Sequence, residues 1–263
     1  MKQLIKKVLN RLNLLYKIKY FQLYRIARNP AYEKHYKLQY EFYKSLLNNS
    51  NNLIFDIGAN AGDYTYIFKK LSRKVISVDP DPKNIKILKS RFSKSSVTII
   101  QKAVSNEIGV ADYFMVNEGS GYNTLSNKWV NILESEELTR FKISEKFIDK
   151  TAVETTTLQQ LITEYGVPDF IKVDVEGFEL NVVKGLKIPI ALMSVECNFP
   201  EFLEETIQLI EYIKVLDKEA KFNYANEYEL YLTDFVNGAE MVDILKSTPH
   251  RYFELYCKMN TLK

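Results

Sequence analysis

Short apolar runs alternate along this chain with stretches in which apolar residues recur every three or four positions. The runs cover Leu53–Ile57, Lys74–Val78, Val97–Ile100, Phe170–Val173 and residues 190–195. Runs of this kind are typical of strands buried on both faces of a parallel sheet. The spacing between them, as in Tyr64, Ile67, Phe68 and Leu71, is that of an amphipathic helix. The alternation predicts an α/β fold with a doubly wound, mostly parallel sheet and helices on both faces.

The two ends of the chain add elements to this core. An aromatic-rich helix is predicted over residues 31–47. Residues 222–224 and 251–256 are predicted to be closing strands around a helix at residues 240–245. A further strand at residues 111–116 is predicted to form an added hairpin. The core sheet is therefore expected to carry additional elements before, within and after it.

The turn after the first run holds the most informative residues. Gly58 and Gly62 bracket it, and glycine allows backbone angles and close ligand approach that other residues resist. The dinucleotide fingerprint has glycine at the position of Asp56. A carboxylate there would repel a pyrophosphate and would suit a cationic ligand such as S-adenosylmethionine. Asp79 follows at the interval of roughly 20 residues at which an acidic residue binds ribose hydroxyls. An ordinary turn with a capping aspartate is the alternative.

Length and composition narrow the class of protein. At 263 residues and 46% hydrophobic content the chain can bury one large core, which excludes wholesale disorder. We interpret residues 1–48 as a basic and aromatic helical extension and residues 49–263 as the sheet domain. The two cysteines give neither a metal-binding spacing nor a disulfide framework. The sequence has no apolar run of membrane-spanning length and no signal-peptide pattern, so a cytoplasmic location is expected.

The net charge of +3 is unevenly distributed along the chain. Residues 1–28 contain eight basic and no acidic residues, which leaves a net −5 on the remainder, so nucleic-acid binding is not expected. An apolar stripe runs among these basic residues, at Leu4, Val8, Leu12 and Leu15. This pattern predicts a helix that contacts an anionic membrane surface peripherally, at its inner face. Packing of the stripe on the domain is the alternative.

Residues 117–150 form the least regular stretch of the chain. Long irregular segments within compact domains are often functional. We interpret this stretch as a substrate-side insertion, with Tyr122 and Asn123 in its turn-rich first part as candidate substrate contacts; a plain surface excursion is the alternative. His35 is a further candidate contact, because the aromatic helix that carries it could fold over the pocket.

Three blocks of sequence together resemble one known family. They read Asp-Ile-Gly-Ala-Asn-Ala-Gly at 56–62, Val-Asp-Pro-Asp-Pro at 78–82 and Ile-Lys-Val-Asp-Val-Glu-Gly-Phe-Glu at 171–179. These blocks resemble the FkbM family of S-adenosylmethionine-dependent methyltransferases, and the third block makes the resemblance specific. It covers about residues 53–196. Asp79 departs from the family pattern, which more often has glutamate, although both carboxylates accept hydrogen bonds from ribose.

The resemblance implies a seven-stranded, Rossmann-like class I methyltransferase sheet whose last strand is antiparallel. It also implies O-methylation of a small-molecule or glycan hydroxyl, most often on a sugar, with a natural product or lipid-linked acceptor as the alternative. It assigns the methionine end of the cofactor, S-adenosylmethionine, to Asp56, Gly58, Asn60 and Gly62. It assigns the ribose to Asp79 and the adenine to the surroundings of Ala103.

The ends of the fourth and fifth strands carry the candidate catalytic residues. These ends face the ligand crevice in open α/β sheets, and they hold Asp174, Glu176, Glu196 and Asn198. We predict Asp174 or Glu176 as the general base that takes the hydroxyl proton, and Glu196 as a substrate contact. A helix is predicted over residues 176–186, and capping of this helix is the alternative role for Glu176. Oxygens of Asp174, Glu196 and Asn198 would also suit a divalent metal, but no metal is predicted to be required.

Two functions from other classes stay open at this stage. A nicotinamide-dependent oxidoreductase would share the fold, although Asp56 argues against it. A non-catalytic, membrane-docked protein that binds S-adenosylmethionine would keep the pocket without turnover.

Overall fold

The computed structural model describes Arg25 and residues 29–47, 53–93, 95–135 and 146–261. The predicted basic helix, apart from Arg25, lies outside the described residues, so its membrane contact stays a prediction. Residues 136–145 of the predicted insertion also lie outside them. Among the described helices, none combines the length and the apolar composition needed to cross a bilayer.

Helices and strands alternate through most of the described chain. The helices are α1 (Pro30–Leu47), α2 (Asp63–Leu71), α3 (Pro82–Phe92), α4 (Asn127–Glu134), α5 (Leu158–Tyr165), α6 (Glu179–Lys184), α7 (Leu203–Leu216) and α8 (Gly238–Ser247). The strands are β1 (Leu53–Ile57), β2 (Lys74–Val78), β3 (Val97–Ile100), β4 (Ala103–Val104), β5 (Gly109–Met115), β6 (Asp149–Thr156), β7 (Phe170–Val173), β8 (Leu192–Asn198), β9 (Lys221–Asn226), β10 (Glu229–Leu230), β11 (Val236–Asn237) and β12 (Tyr252–Lys258).

The main sheet has the strand order β10-β9-β12-β8-β7-β1-β2-β3, and β11 pairs with β9. From β8 to β3 all neighbours are parallel. The last strand of the chain, β12, lies antiparallel between β8 and β9. The seven strands from β9 to β3 therefore confirm the sheet that the family resemblance implied. The short strands β10 and β11 are additions that the sequence pattern did not predict.

The central strands are buried on both faces, as their apolar runs predicted. Every residue of β1, β7 and β8 is buried. Helices α5 to α8 cover one face of the sheet. Helices α1 and α2 cover the other face, where the ring of Tyr43 is fully buried 5.1 Å from that of Phe68. The predicted aromatic helix therefore contributes directly to the core.

Two element boundaries near the predicted catalytic residues differ from the predictions. The helix predicted from residue 176 begins at Glu179, because Glu176 and Gly177 have left-handed backbone angles, with φ of 56° and 85°. The strand predicted to end at residue 195 continues to Asn198, because pairing with β12 extends it. Glu196 and Asn198 therefore lie within β8 and face neighbours on β12.

Strands β5 and β6 flank the predicted insertion and form a separate small sheet with β4, in the order β4-β6-β5. The strand predicted at residues 111–116 is present as β5, but its antiparallel partner β6 lies after the insertion and not in an adjacent hairpin. Helix α4 lies between them, capped by the Ser126 side chain and anchored by the buried Trp129. The ring of Trp129 lies 5.7 Å from that of Phe202, so the described part of the insertion packs beside the start of α7.

Candidate active site

The turn between β1 and α2 places two glycines where side chains would collide with neighbouring segments. Gly58 has φ +79, and a Cβ there would lie 1.7 Å from the backbone oxygen of Asp174. Gly62 has φ +81, and a Cβ there would lie 2.6 Å from Leu88 and 2.7 Å from Phe92. Gly58 therefore lets the loops after β1 and β7 touch, whereas Gly62 lets α2 pack closely on α3.

A cavity of about 270 Å³ opens at the carboxyl ends of β1, β2 and β7 and beside β8; we call it the strand-tip cavity. Open α/β sheets bind their ligands at this edge. Its lining includes the predicted residues Gly58, Asn60, Asp79, Ala103, Asn123, Asp174, Glu176 and Glu196. Most of the sequence-predicted site residues therefore meet at one place.

Asp79 presents a fixed carboxylate to this cavity. It accepts hydrogen bonds from the backbone N–H groups of Asn60 at 2.8 Å and Asp81 at 2.9 Å. A third bond comes from Nδ2 of Asn84 at 3.1 Å. A carboxylate has about four acceptor positions, so one stays available for a ligand hydroxyl. Burial is the main cause that raises the pKa of Asp79 to about 7.

Asn84 is a cavity residue that the sequence reasoning missed. It lies in the first turn of α3, is buried, and lines the strand-tip cavity. Its Oδ1 atom has no hydrogen-bond partner within the described part of the chain. Buried polar atoms are normally paired, so this acceptor fits a ligand donor such as an adenosine hydroxyl or amino group. Its place just after the Pro-Asp-Pro step was the available signal.

Asp56 and Gly62 do not line the cavity, although direct cofactor contact was expected of both. Asp56 is buried beneath α2, where its carboxylate accepts a hydrogen bond from the hydroxyl of Thr65 at 2.5 Å. Burial raises its pKa to about 6. Side chains alternate across a strand, so Asp56 faces the helix instead of the strand end. Both residues shape the turn that bears Gly58 and Asn60.

Three carboxylates converge on the β7–β8 side of the cavity. Oxygens of Asp174, Glu176 and Glu196 lie within 4.8 Å of one another. Lys172, buried on β7, places its ammonium 2.7 Å from Asp174. The hydroxyl of Tyr252 donates to Glu196 at 2.8 Å. This cluster could take up a proton, and its oxygens could equally hold a divalent cation.

Burial and neighbouring charge raise two pKa values in this cluster. The pKa of Glu176 is raised well above its ordinary value by burial, then by the nearby charges of Asp174 and Glu179. The pKa of Glu196 is raised in the same way by burial and by Asp174 and Glu176. Glu176 and Glu196 therefore retain a proton more readily than exposed carboxyl groups would.

The helix-capping alternative for Glu176 is not favoured by the hydrogen bonds. The carboxylate of Glu179 accepts from the backbone N–H groups of Val175 and Gly177, both at 3.1 Å. The loop at the start of α6 is therefore organised by Glu179. Glu176 instead reaches the cavity from a left-handed backbone position with φ 56°.

The remaining predicted substrate residues have different surroundings. Asn123 lines the cavity, but its amide nitrogen donates to Asp81 and its oxygen accepts from the backbone of Val116. Tyr122 packs against the buried group of Trp129, Leu133 and Phe202 and does not line the strand-tip cavity. His35 lines a neighbouring cavity of about 700 Å³ between α1, the β9–β10 turn and the start of β12; we call it the aromatic cleft.

Comparisons with known proteins place these features in a family. The model of the Methyltransferase FkbM domain matches residues 56–228. No curated protein matches the chain. Among solved structures, the plantazolicin methyltransferase BpumL in complex with S-adenosylhomocysteine has 12% identity and a TM-score of 0.45, covering 98% of this chain and 99% of that one. SMU.1697c, a putative methyltransferase from Streptococcus mutans in complex with the same ligand, has 12% identity and a TM-score of 0.41, covering 84% and 96%. Nothing about the acceptor follows from similarities this distant.

Proposed function

Because this chain belongs to the FkbM methyltransferase family and is an S-adenosylmethionine-dependent methyltransferase, we propose that it methylates a hydroxyl oxygen of a sugar or glycan. The observation that carries the proposal is the carboxylate cluster of Asp174, Glu176 and Glu196 at the wall of the strand-tip cavity. An alcohol is a weak nucleophile until a base accepts its proton, and a carboxylate within hydrogen-bond reach performs that role.

Residues of the strand-tip cavity would hold the cofactor in two parts. Asp79 and Asn84 offer acceptors to the adenosine end, and Ala103 borders the same side. Gly58 and Asn60 line the cavity where the methionine end would lie. Bound S-adenosylmethionine supplies a methyl group on a positively charged sulfur. The nicotinamide-dependent alternative does not agree with the family and is set aside.

We propose that the carboxylate cluster accepts the proton of the acceptor hydroxyl. As the acceptor oxygen would take the methyl group from the sulfur of the bound cofactor, with S-adenosylhomocysteine as the leaving group, its proton would pass to Glu176 or Asp174. Of the two, the geometry favours Glu176, because one oxygen of Asp174 is already engaged by the Lys172 ammonium at 2.7 Å. In its ionised form, a carboxylate whose pKa is raised also binds the transferred proton more tightly. Glu196, bound to Tyr252, would contact the acceptor.

A metal-assisted version of this reaction uses the same residues. If Asp174, Glu176 and Glu196 bind a divalent cation, the cation would orient the acceptor hydroxyl and lower its pKa.

The acceptor class also has an alternative, a natural product or a lipid-linked hydroxyl. A non-catalytic S-adenosylmethionine-binding protein would need no such cluster beside its cavity.

The proposed function is tested with S-adenosylmethionine carrying an isotopically labelled methyl group. The protein is incubated with it and with glycans extracted from cells, and the hydrolysed sugars are analysed by mass spectrometry. The expected result is label in an O-methyl sugar. Label attached to nitrogen or carbon, or found only in non-carbohydrate products, would contradict the sugar-hydroxyl assignment. Calorimetry with S-adenosylhomocysteine and with NAD serves as a separate control on the cofactor, and only the former is expected to bind.

A further inference from the structure

A second cavity lies next to the strand-tip cavity and shares a wall with it. The aromatic cleft has a volume of about 700 Å³, within the range of small-molecule sites. Tyr252 lines both cavities, and its hydroxyl donates to Glu196 of the carboxylate cluster. A molecule in the aromatic cleft would therefore lie against the same tyrosine that borders the reaction site.

The floor of the aromatic cleft is joined to the reaction site by buried charges. Glu254 lines the cleft and lies 3.4 Å from the ammonium of Lys172. The same ammonium lies 2.7 Å from Asp174, which lines the strand-tip cavity. Glu254 also accepts from the hydroxyls of Tyr43 and Tyr256. The floor is polar and fixed, which disfavours an acyl chain as occupant.

One side of the aromatic cleft is built on an unfavourable backbone turn. Asn226 pairs with Glu229, so β9 and β10 are joined by the two-residue loop Glu227-Tyr228. Both loop residues have positive φ, 48° and 66°. Asn-Gly is the usual choice for such a loop, because most side chains disfavour these angles. The turn nevertheless carries a tyrosine, whose ring lines the cleft and whose hydroxyl lies 3.2 Å from Nε2 of His35.

The lining of the aromatic cleft combines aromatic rings with positively and negatively charged groups that form hydrogen bonds. Tyr228 and Tyr252 offer ring faces, and Tyr252 is half exposed. Glu227 and Arg251 add a carboxylate and a guanidinium at the exposed side. Rings with adjacent donors and acceptors suit a hydroxylated ring compound, because its C–H faces pack on the rings while its hydroxyls bind the polar groups. Charge of both signs does not favour a polyphosphate.

From this arrangement we propose that the aromatic cleft binds a sugar ring of the acceptor, with Tyr252 as the shared wall over which the hydroxyl reaches the carboxylate cluster. The inference rests on the proposed function, since it locates the acceptor of that reaction. It goes beyond it by assigning a binding site outside the predicted insertion, formed by α1, the Glu227-Tyr228 turn and the start of β12. His35 then contacts the acceptor side and not the cofactor.

The test measures binding of simple saccharides to the full chain saturated with S-adenosylhomocysteine. The probes are the methyl glycosides of glucose, galactose, mannose and rhamnose, observed by saturation-transfer NMR. Leu38, which lines the cleft and is 52% exposed, is changed to Trp to fill it. Tyr228→Ala removes a lining ring. The matched controls are Val215→Trp, at a residue 80% exposed, and Tyr231→Ala, at a residue 50% exposed; neither residue lines the cleft.

The expected result is that at least one glycoside binds the wild-type protein. Its affinity should fall at least about tenfold in Leu38→Trp and Tyr228→Ala and stay unchanged in both controls, with S-adenosylhomocysteine affinity unchanged in all four variants. No binding by any glycoside, or equal binding in Leu38→Trp, would overturn the proposal. If the wild-type protein does not bind S-adenosylhomocysteine, the result would instead count against the methyltransferase assignment. Failure of the sugar-site proposal and failure of the proposed function are therefore distinguishable.

Discussion

The strand-tip cavity and the aromatic cleft share a wall but are built from the chain in different ways. The first is formed by the loops that follow β1, β2 and β7, whose close approach depends on Gly58, and by residues 120–125 of the insertion. The second is formed by large side chains from segments far apart in sequence, such as His35, Tyr228 and Tyr252. A cavity defined by backbone tolerates little change at its glycines. A cavity defined by side chains can change its ligand by substitution.

The largest expected effect concerns two carboxylates that line the strand-tip cavity, Asp174 and Glu176. If one of them is the general base, Glu176→Gln or Asp174→Asn should lower turnover by about 10²–10⁴-fold while S-adenosylhomocysteine affinity changes little. Both substitutions keep the side-chain shape and remove the proton acceptor. Turnover is measured as release of S-adenosylhomocysteine in the presence of a saccharide that the aromatic cleft binds.

The same assay separates the other roles of these carboxylates. A metal ligand would make the wild type lose activity with a chelator and regain it with Mg²⁺. A residue that only orients the cofactor would lose affinity in proportion to its lost rate. Full activity in both Glu176→Gln and Asp174→Asn would contradict the catalytic assignment, and Glu179→Gln serves as a control at a carboxylate that binds backbone N–H groups instead.

The second prediction tests the claim that the strand-tip cavity is defined by backbone. Gly58→Ala should destabilise the fold by about 3 kcal/mol or more, because the new Cβ would lie 1.7 Å from the backbone oxygen of Asp174. Urea unfolding measures the change. Gly121 lines the same cavity, but a Cβ there would lie 3.7 Å from Asn60, an ordinary contact. Gly121→Ala should therefore be nearly neutral, and equal effects at both glycines would contradict this account.

The two cavities also differ in how far the sequence predicted them. The strand-tip cavity could be predicted in large part because the loops after β1, β2 and β7 follow recognisable strands, so Gly58, Asp79 and Asp174 were found from local patterns. The prediction was limited by side-chain direction, because alternation along β1 turns Asp56 towards α2. Asn84 was missed because, apart from its place after the Pro-Asp-Pro step, no local pattern marks it as a cavity residue. No local pattern could bring together the segments of the aromatic cleft, which meet only in the folded sheet.

The positions of the central strands along the chain were predictable for a similar reason. Their apolar runs fixed β1, β2, β3 and β7 residue for residue. The end of β8 was missed because its last residues, including Glu196 and Asn198, are polar and are held by pairing with β12. The loop before α6 was missed because the left-handed backbone of Glu176 follows from its packing, not from an intrinsic preference of glutamate.

The smallest expected effect is a dependence of stability on pH that arises near the strand-tip cavity. Burial raises the pKa values of Asp79 and Glu179 to about 7. Between their ordinary values and about pH 7 the folded protein binds more protons than the unfolded chain, so the free energy of unfolding should fall as pH rises. The slope is at most about 1.4 kcal/mol per pH unit for each group.

Urea unfolding between about pH 5 and pH 8 measures this slope. Glu179→Gln should make this slope shallower, because one of the carboxyl groups with a raised pKa is removed. Glu164→Gln is a suitable control at an exposed position of α5. Stability that rises with pH over this interval would contradict the assignment.

The antiparallel course of β12 has a consequence for how this enzyme could diverge. Because β12 runs against β8, the loop at residues 248–251 enters the sheet at the edge where the parallel strands end. Strand β12, which follows this loop, is fixed by its pairing with β8 and β9, so changes in the loop need not disturb the sheet. A lineage could exchange this loop and acquire a new acceptor while it inherits the cofactor site intact. For the same reason, loop grafting at this position offers protein engineers a route to altered specificity.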